Sequence, residues 1–140
     1  PSQYDVSMDF DEFVSHGGKL ILFTSWNDMS ISPWQIISQY QGYVKKYGQE
    51  QVESFLKFYC MPSATHCSGI FMDYLEWLDT WCTTGIYPSE TLYGKIAETG
   101  GEMPMAEFPG WVRYTGGDPK AGTSYEISYE IPAGFFEEFA

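Results

Sequence analysis

The chain has 140 residues, the length of a single domain, and its 7 basic against 19 acidic side chains give a net charge of −12. With 44% hydrophobic residues it can form a core, which excludes a disordered tail. The negative field repels phosphate groups, so neither nucleic acid nor an anionic membrane is an expected partner. The longest aliphatic run, Leu20–Phe23, is too short to cross a bilayer. Because residue 1 is proline rather than methionine, we expect a trimmed or processed chain, whose missing leader says nothing about its compartment.

The first part of the chain predicts alternating strands and helices. A strand from Lys19 to Ser25 is apolar at consecutive positions, as in a central strand of a parallel sheet that is covered on both faces. A helix follows between Ser32 and Gly48, then a second apolar strand from Phe55 to Met61, and then an amphipathic helix that begins at Ile70. This β–α–β–α order is typical of a parallel sheet with crossover helices.

Both helices carry signals at their ends. Ser32 is the predicted N-cap of the first helix, Pro33 occupies its first turn, and Gln35 completes a capping box. Gly48 supplies a left-handed end to this helix, and Gly85 is the expected cap of the second. The predicted inner face of the second helix contains Ile70, Phe71, Tyr74, Leu75, Trp77, Leu78 and Trp81.

The C-terminal part has a different pattern. Trp111–Tyr114 is a short predicted strand, 115–123 is a turn region, and Tyr125–Ile131 alternates apolar with polar residues, which predicts a half-buried antiparallel hairpin. No structure is predicted for 134–140. Two parallel strands and a hairpin leave exposed strand edges, so we expect residues 1–140 to be the C-terminal portion of a larger α/β domain, incomplete on its own.

Two polar residues follow the two predicted parallel strands. Asp28 lies just beyond the first strand, and His66 lies just beyond the second, 38 positions later. Functional groups of parallel sheets gather at the carboxyl ends of the strands, so we expect these side chains to meet. An acid followed by a histidine in this order is what an α/β-hydrolase needs for two members of a Ser-Asp-His triad.

Each residue also has a structural interpretation. An aspartate in such a loop is most often a turn former, and a single histidine after a strand is most often structural. The other histidine, His16, lies in a glycine-rich segment at the opposite end of its strand, and we predict that it is structural. The shared sheet edge and the chain order together favour a catalytic role for Asp28 and His66.

Three stretches resemble the tannase and feruloyl esterase family. Gly17–Phe23 followed by Trp26-x-Asp28-x-x-Ile31-x-Pro33 resembles the acid-bearing segment of that family, and Phe58–Cys67 resembles its histidine segment. A third stretch, Phe108–Gly117, is similar to a segment further along. The similarity covers most of residues 10–120, and its most specific part is the His-Cys pair at this distance from Trp-x-Asp.

The resemblance implies the C-terminal portion of an α/β-hydrolase fold and a carboxylic ester hydrolase. Members of this family carry a large lid and cleave esters of aromatic, phenolic acids, such as galloyl or feruloyl esters. Asp28 corresponds to the catalytic acid and His66 to the base, and the nucleophilic serine lies outside this chain. We therefore expect this chain alone to be inactive, because it lacks the nucleophile, the oxyanion hole and the lid.

The resemblance also implies partners for this chain. Cys67 corresponds to a cysteine that forms a disulfide with one beside the nucleophilic serine, which accounts for the odd count of three cysteines. The expected partners are the remaining N-terminal part of the same enzyme and a small aromatic ester. No cofactor is expected in this chain, although the resemblance allows a structural calcium in the missing lid. A disulfide indicates a secreted or periplasmic protein.

The sequence departs from the family pattern near both predicted catalytic residues. Thr24-Ser25 replace His-Gly before the acid. Ser63-Ala64-Thr65 replace Gly-Met-Gly before the base, so the backbone of that loop has fewer φ/ψ conformations open to it. Two other cysteines, Cys60 and Cys82, are predicted either to bridge strand to helix or to be buried thiols on apolar faces.

Two other functions are open from the residues alone. Cys60, His66, Cys67 and Cys82 form a candidate set for structural zinc, although no C-x-x-C pair is present. A non-catalytic binding module is the second alternative, with an aromatic platform for phenolic or sugar rings built from Trp26, Trp34, Trp77, Trp81 and Trp111. At helical spacing, however, Trp77 and Trp81 are more typical of a core.

Overall fold

The structure, a computed structural model, describes residues 8–62, 65–66, 69–88 and 91–130. These ranges contain both helices and strands. In chain order they are α1 (Asp11–Ser15), β1 (Leu20–Ser25), α2 (Pro33–Tyr47), α3 (Gln49–Phe55), β2 (Leu56–Met61), β3 (Ile70–Phe71), α4 (Tyr74–Thr84), β4 (Tyr93–Ile96), β5 (Glu102–Pro104), β6 (Trp111–Tyr114) and β7 (Tyr125–Ser128), with a short 3₁₀ turn at Gly122–Ser124. The mixed α/β class that the sequence predicts is therefore confirmed.

Strands β1 and β2 form a parallel pair, as the sequence predicts. Their register runs from Leu20 opposite Leu56 to Ser25 opposite Met61, so both strands end at the same level. The Trp26 N–H donates to the Met61 carbonyl oxygen at 3.1 Å and continues the pairing one residue past β1. The two loops that follow these strands therefore start side by side at one edge of the sheet.

Alternate side chains of β2 enter two different apolar clusters, as the two-residue period of a strand requires. One cluster lies against α2 and α3 and contains Ile37, Tyr40, Tyr43, Val52, Phe55, Leu56, Phe58 and Cys60. The other lies against α4 and β5 and contains Tyr59, Met61, Ile70, Trp77, Met103 and Met105. On β1, by contrast, Phe23 is 43% exposed, so the prediction that both faces of this strand are covered is wrong at Phe23.

Helix α2 starts and ends where the sequence predicts, with Ser32 as N-cap and Gly48 as its end. The predicted capping box is absent, because the Ser32 side chain makes no capping hydrogen bond; instead the Gln35 N–H donates to the Ser32 carbonyl at 3.0 Å. Gly48 has φ of 82°, and the chain then enters α3, a helix that the sequence analysis does not predict. Phe55, predicted as the first residue of a strand, is the last residue of α3.

The second predicted helix begins later than expected. Ile70 and Phe71 form β3, which pairs with β4 in a three-stranded antiparallel sheet completed by β5, and α4 starts at Tyr74. Trp81 is buried as predicted, but Leu75 is 68% exposed, which contradicts its place on the predicted inner face. Ile70 pairs with Ile96 of β4, so the apolar residue pair before position 74 belongs to a sheet and not to the first turn of the helix.

Strands β6 and β7 form the predicted antiparallel hairpin, with Trp111 opposite Ser128. Ile131, which the sequence places on the second strand, lies outside the described residues. Ahead of the hairpin, the chain runs along the second edge of β2, where the Phe108 N–H donates to the Phe58 carbonyl at 2.7 Å. Within the described ranges, none of the helices has the length and apolar character that crossing a bilayer requires.

The segment beside β2 carries a partly buried carboxylate, Glu107, that should make stability depend on pH. Glu107 Oε1 lies 3.2 Å from Lys57 Nζ, and burial raises the pKa of Glu107 above its ordinary value of 4.5 although the Lys57 ammonium opposes this. A carboxyl group whose pKa is raised by folding contributes to the free energy of unfolding. The contribution is fully present at a pH below the pKa of the unfolded chain and is lost as the pH rises through the pKa of the folded chain. We therefore expect the free energy of unfolding of the wild type to fall, relative to that of Glu107→Gln, as the pH rises above 4.5.

Urea denaturation over a pH series measures this difference. The control is Glu126→Gln, which removes a carboxylate that pairs with Arg113 in an exposed position on the hairpin. It should leave the pH dependence of the wild type in place. A wild-type-minus-Glu107→Gln difference that stays constant with pH contradicts the prediction.

Candidate active site

The loop that follows β1 holds the Asp28 carboxylate by one of its two oxygens. The Asp28 N–H donates to the Ser25 carbonyl at 3.2 Å, which turns the chain directly after the strand. Asp28 Oδ1 then accepts hydrogen bonds from the N–H groups of Ser30 at 2.8 Å and Ile31 at 2.9 Å. An aspartate that accepts from the backbone two and three residues ahead fixes its own side chain. Because Oδ1 is held by two hydrogen bonds, the position of the second carboxylate oxygen, Oδ2, is fixed as well.

His66 meets that second oxygen. Its Nδ1 lies 2.9 Å from Asp28 Oδ2, across the two loops that the parallel pair places side by side. A carboxylate can only accept, so Nδ1 carries the proton and donates it, and a neutral imidazole then has its lone pair on Nε2. The Asp28 side chain is 11% exposed and that of His66 is 45% exposed. The pair therefore has a sheltered acid and an accessible ring, and the contact that the sequence predicts is present.

Hydrogen bonds favour the ionised form of Asp28. The Ile31 N–H hydrogen bond, followed by the hydrogen bond with His66, lowers the pKa of the Asp28 carboxyl below its ordinary value of 3.8. The carboxylate is consequently ionised throughout the neutral range. An ionised partner at Nδ1 orients the imidazole and stabilises the imidazolium that forms when Nε2 accepts a proton. The pair can therefore act as a general base with a fixed tautomer.

A cavity of about 430 Å³ opens at the pair. Two polar strand-end residues, Thr24 and Ser25, line it together with Phe23 and Tyr74, whose rings lie 5.9 Å apart. The rest of the lining is mostly apolar and consists of Ile31, Ile36, Met61, Thr65, Ile70, Phe71 and Met72. An apolar cavity with a few converging polar groups is the usual form of a small-molecule site.

The cysteines do not share one environment. Cys60 is buried on β2, and burial raises the pKa of its thiol from 9.0 to about 12, as expected for an inert core thiol. Cys82 is exposed on α4, so the prediction that both thiols are buried is wrong, and neither forms the strand-to-helix bridge because both are free. The sequence analysis placed Cys82 on an apolar face of the predicted helix, and it also placed Leu75, which is 68% exposed, on the inner face of that helix. Cys67, the predicted partner of the nucleophile segment, lies outside the described residues.

The two alternative sites are not assembled in the described part of the chain. Among its histidine, cysteine and acidic side chains, no group of three or more could hold a metal ion, so Cys60, His66 and Cys82 do not form a zinc site. A platform made of all five tryptophans is not formed either, because Trp77 and Trp81 are buried in the structure. His16 has a local structural contact instead: its Nδ1 donates to the Glu12 carbonyl at 2.8 Å, where α1 ends.

Two features of the site have no counterpart in the sequence prediction. The backbone N–H groups of Ser30 and Ile31 carry no side-chain signal, although an aspartate two residues before a serine is common in such turns. Ser25 lines the cavity and is buried, yet the sequence only marks it as a departure from the family pattern. Its position as the last residue of a strand just before the acid is the signal that could have identified it.

The comparison with protein families identifies the family of this chain. A family model described as tannase and feruloyl esterase matches residues 3–128. The chain belongs to the tannase and feruloyl esterase family. The predicted resemblance is thus confirmed, and the matched range includes Asp28 and His66 together with the strands that carry them.

Three known proteins illustrate what this chain is similar to. An esterase of Agrobacterium fabrum, itself described as uncharacterized, is 31% identical to this chain in an alignment 127 positions long, which covers 86% of this chain and 23% of that protein. The structure of feruloyl esterase B from Aspergillus oryzae matches with a TM-score of 0.73 at 19% identity, over 87% of this chain and 29% of that one. Tannin acyl hydrolase from Aspergillus niger matches with a TM-score of 0.70 at 23% identity, over 87% and 24%.

These comparisons also show how much of the length of its relatives this chain covers. It spans about a quarter of the length of the relatives it matches, between 23% and 29%. At 19–23% identity, the solved structures show that the fold of this chain is that of one part of these enzymes.

Proposed function

We propose that this chain supplies the acid and the base of a serine carboxylic ester hydrolase that acts on esters of aromatic, phenolic acids. The observation that carries the proposal is the 2.9 Å contact between Asp28 Oδ2 and His66 Nδ1 at an open apolar cavity. Family membership supports ester hydrolysis as the reaction, since the relatives are named esterase, feruloyl esterase and tannin acyl hydrolase.

In the proposed reaction, His66 Nε2 removes the proton from a serine hydroxyl that lies outside this chain. The serine oxygen attacks the ester carbonyl, and the imidazolium then gives its proton to the leaving alcohol. In the second half, Nε2 removes a proton from water, the water oxygen attacks the acyl carbonyl, and the imidazolium returns the proton to the serine oxygen as the acid is released. Asp28 stays ionised throughout, because its Oδ1 is held by two backbone N–H groups and its Oδ2 faces the ring.

The proposed substrate is an aromatic ester such as a galloyl or feruloyl ester. The wall formed by Phe23 and Tyr74 offers aromatic surface beside His66, and planar rings stack favourably against such side chains. The names of the feruloyl esterase and tannin acyl hydrolase relatives support the same class.

The proposed partner is the rest of the same hydrolase domain, of which this chain forms the C-terminal portion. The exposed apolar side chains of Phe23 and Phe71, which line the same cavity, support this, because exposed apolar side chains that share one surface commonly mark an interface. We expect the nucleophile and the lid, with any structural calcium, to come from that part, and no cofactor to be held by this chain. This chain by itself should hydrolyse no ester.

Cys67 provides a prediction about how the two parts are joined. We expect a disulfide from Cys67 to a cysteine beside the nucleophilic serine, formed in a secreted or periplasmic protein. Peptide mapping of the natural protein under non-reducing conditions should yield a Cys67-containing peptide linked to the nucleophile peptide, and reductant should separate them. Cys82→Ala is the control and should leave that link intact. A Cys67 thiol that reacts freely with an alkylating agent before reduction contradicts the prediction.

The function itself is tested with the complete polypeptide that contains these residues. It should hydrolyse methyl ferulate or methyl gallate and release the free acid, which is measured by chromatography. The matching aliphatic ester, methyl butyrate, should be a poorer substrate by kcat/KM. Absence of ester hydrolysis by the complete, folded polypeptide would overturn the proposal, and equal rates on both esters would overturn its aromatic specificity.

A further inference from the structure

We propose that the Ser25 hydroxyl is a positioning group for the Asp28–His66 pair. Ser25 is the last residue of β1, it is 1% exposed, and it lines the same cavity as Asp28 and His66. The catalytic part of this inference depends on the proposed esterase function. The structural part, that the hydroxyl fixes the acid loop, does not.

The hydrogen bonds of the turn place Ser25 at its centre. Three successive N–H groups leave the end of β1, and each has a different acceptor. Trp26 N–H donates to the Met61 carbonyl at 3.1 Å, and Asp28 N–H donates to the Ser25 carbonyl at 3.2 Å. The N–H of Asn27, between them, donates to Ser25 Oγ at 3.2 Å. The two oxygens of Ser25 therefore serve two of the three donors, and a partly buried donor left without its acceptor is costly.

Asn27 extends this arrangement to the other loop. Its side-chain Nδ2 donates to the Pro62 carbonyl at 3.4 Å, just past the end of β2 and ahead of His66. The Ser25 hydroxyl thus holds the backbone of Asn27, and the Asn27 side chain contacts the start of the loop that carries His66. Loss of that hydroxyl should let Asp28 shift relative to His66, and small misplacements of catalytic groups lower the rate strongly.

The hydroxyl is a feature of this chain rather than of the family pattern that it resembles. That pattern has glycine at the position of Ser25, and glycine offers the carbonyl oxygen but no Oγ. Ser25 Oγ therefore accepts a hydrogen bond in the acid loop that glycine at this position could not accept. The function of that hydrogen bond can be separated from ordinary stability, because the chain contains a second serine with the same local bond.

Ser128 is the matched control. It is 9% exposed at the end of β7, and its Oγ accepts from the Glu130 N–H at 3.2 Å, again two residues ahead. Ser128 does not line the cavity of the pair. Ser25→Ala and Ser128→Ala therefore remove the same kind of hydrogen bond at similar burial, one beside Asp28 and one on the hairpin.

The experiment uses the complete polypeptide labelled with ¹⁵N-histidine. In Ser25→Ala, the low-field Nδ1 proton resonance of His66 should shift or broaden, and kcat on the ester should fall about tenfold with KM changed less than about twofold. Ser128→Ala should change neither, and Ser25→Thr, which retains a hydroxyl, should restore both. Ser25→Cys, close in size with a weak acceptor, should behave like Ser25→Ala and is used if the alanine variant does not fold.

Three results would overturn the inference. The first is a His66 resonance in Ser25→Ala that is the same as in the wild type. The second is that Ser128→Ala causes the same changes as Ser25→Ala. The third is a loss of kcat in Ser25→Ala as large as that of a His66 variant, which would make Ser25 a reacting group instead of a positioning group. If the wild type hydrolyses no ester, the proposed function fails, but the resonance of His66 still decides the structural part.

Discussion

Replacement of His66 by alanine in the complete enzyme should lower kcat on an aromatic ester by a factor on the order of 10⁴ to 10⁶. The imidazole is the group that accepts the proton of the nucleophile, and within the described part of the chain the cavity contains no other histidine. KM should change little, because the ring acts on the reacting proton rather than on ground-state binding. Steady-state kinetics with methyl ferulate, together with circular dichroism to confirm folding, measures this loss.

The second histidine of the chain is the matched control for that experiment. His16 is also exposed, and its Nδ1 donates to a carbonyl oxygen rather than to a carboxylate. His16→Ala should therefore keep kcat within about twofold of the wild type. If His66→Ala keeps its activity, or if His16→Ala loses as much, the assignment of the base is wrong.

Replacement of Asp28 by asparagine should lower kcat by about 10² to 10⁴ without unfolding the loop. The amide oxygen of the introduced side chain can still accept the N–H groups of Ser30 and Ile31, so the turn should persist. The amide nitrogen, however, would face His66 Nδ1 and donate to it. The ring would then carry its proton on Nε2, the atom that must accept the proton of the serine, and the base would be in the wrong tautomer.

Asp118→Asn is the control for the acid. Asp118 Oδ1 accepts from the Lys120 N–H at 2.9 Å, which is the same kind of turn in an exposed loop before the 3₁₀ segment. This variant should leave kcat unchanged. An Asp28→Asn enzyme with wild-type kcat would show that the observed contact has no catalytic role.

Asp28 also gives a stability effect of opposite sign to that of Glu107. Its pKa is lowered in the folded chain, so it contributes stability above the unfolded value of 3.8, which is lost as the pH falls through the folded pKa. In the acid range, the wild type should therefore lose stability faster than Asp28→Asn as the pH falls. Urea denaturation over a pH series measures this, and parallel curves for the two proteins would contradict it.

The part of the site that could be predicted from sequence is the part that follows from a parallel sheet. Two apolar strands joined by a helix end at one edge, so residues just beyond them must be neighbours, and Asp28 and His66 are. The order of the acid and the histidine and the adjacent family-like motifs indicated the same pair. Local signals also placed the start of α2 at Pro33 and its end before Gly48.

The parts that were missed depend on contacts between distant residues. Ile70 and Phe71 fit a helical period in the sequence, but pairing with Ile96 and Lys95 of β4 makes them a strand. Gly48 ends α2 as predicted, yet the chain continues into α3, where Val52 and Phe55 are buried in the core. The role of Ser25 depends on where the Asn27 N–H points, which no residue pattern specifies.

The most direct measurement of the central claim is the reaction of the complete enzyme with a serine-directed fluorophosphonate, followed by mass spectrometry. We predict that one serine outside these 140 residues is labelled, that labelling abolishes ester hydrolysis, and that His66→Ala slows labelling by at least about a hundredfold while His16→Ala does not. An enzyme that is not labelled, or a labelling rate that is the same with and without the His66 imidazole, would contradict the assignment of Asp28 and His66 as the acid and base of a serine esterase.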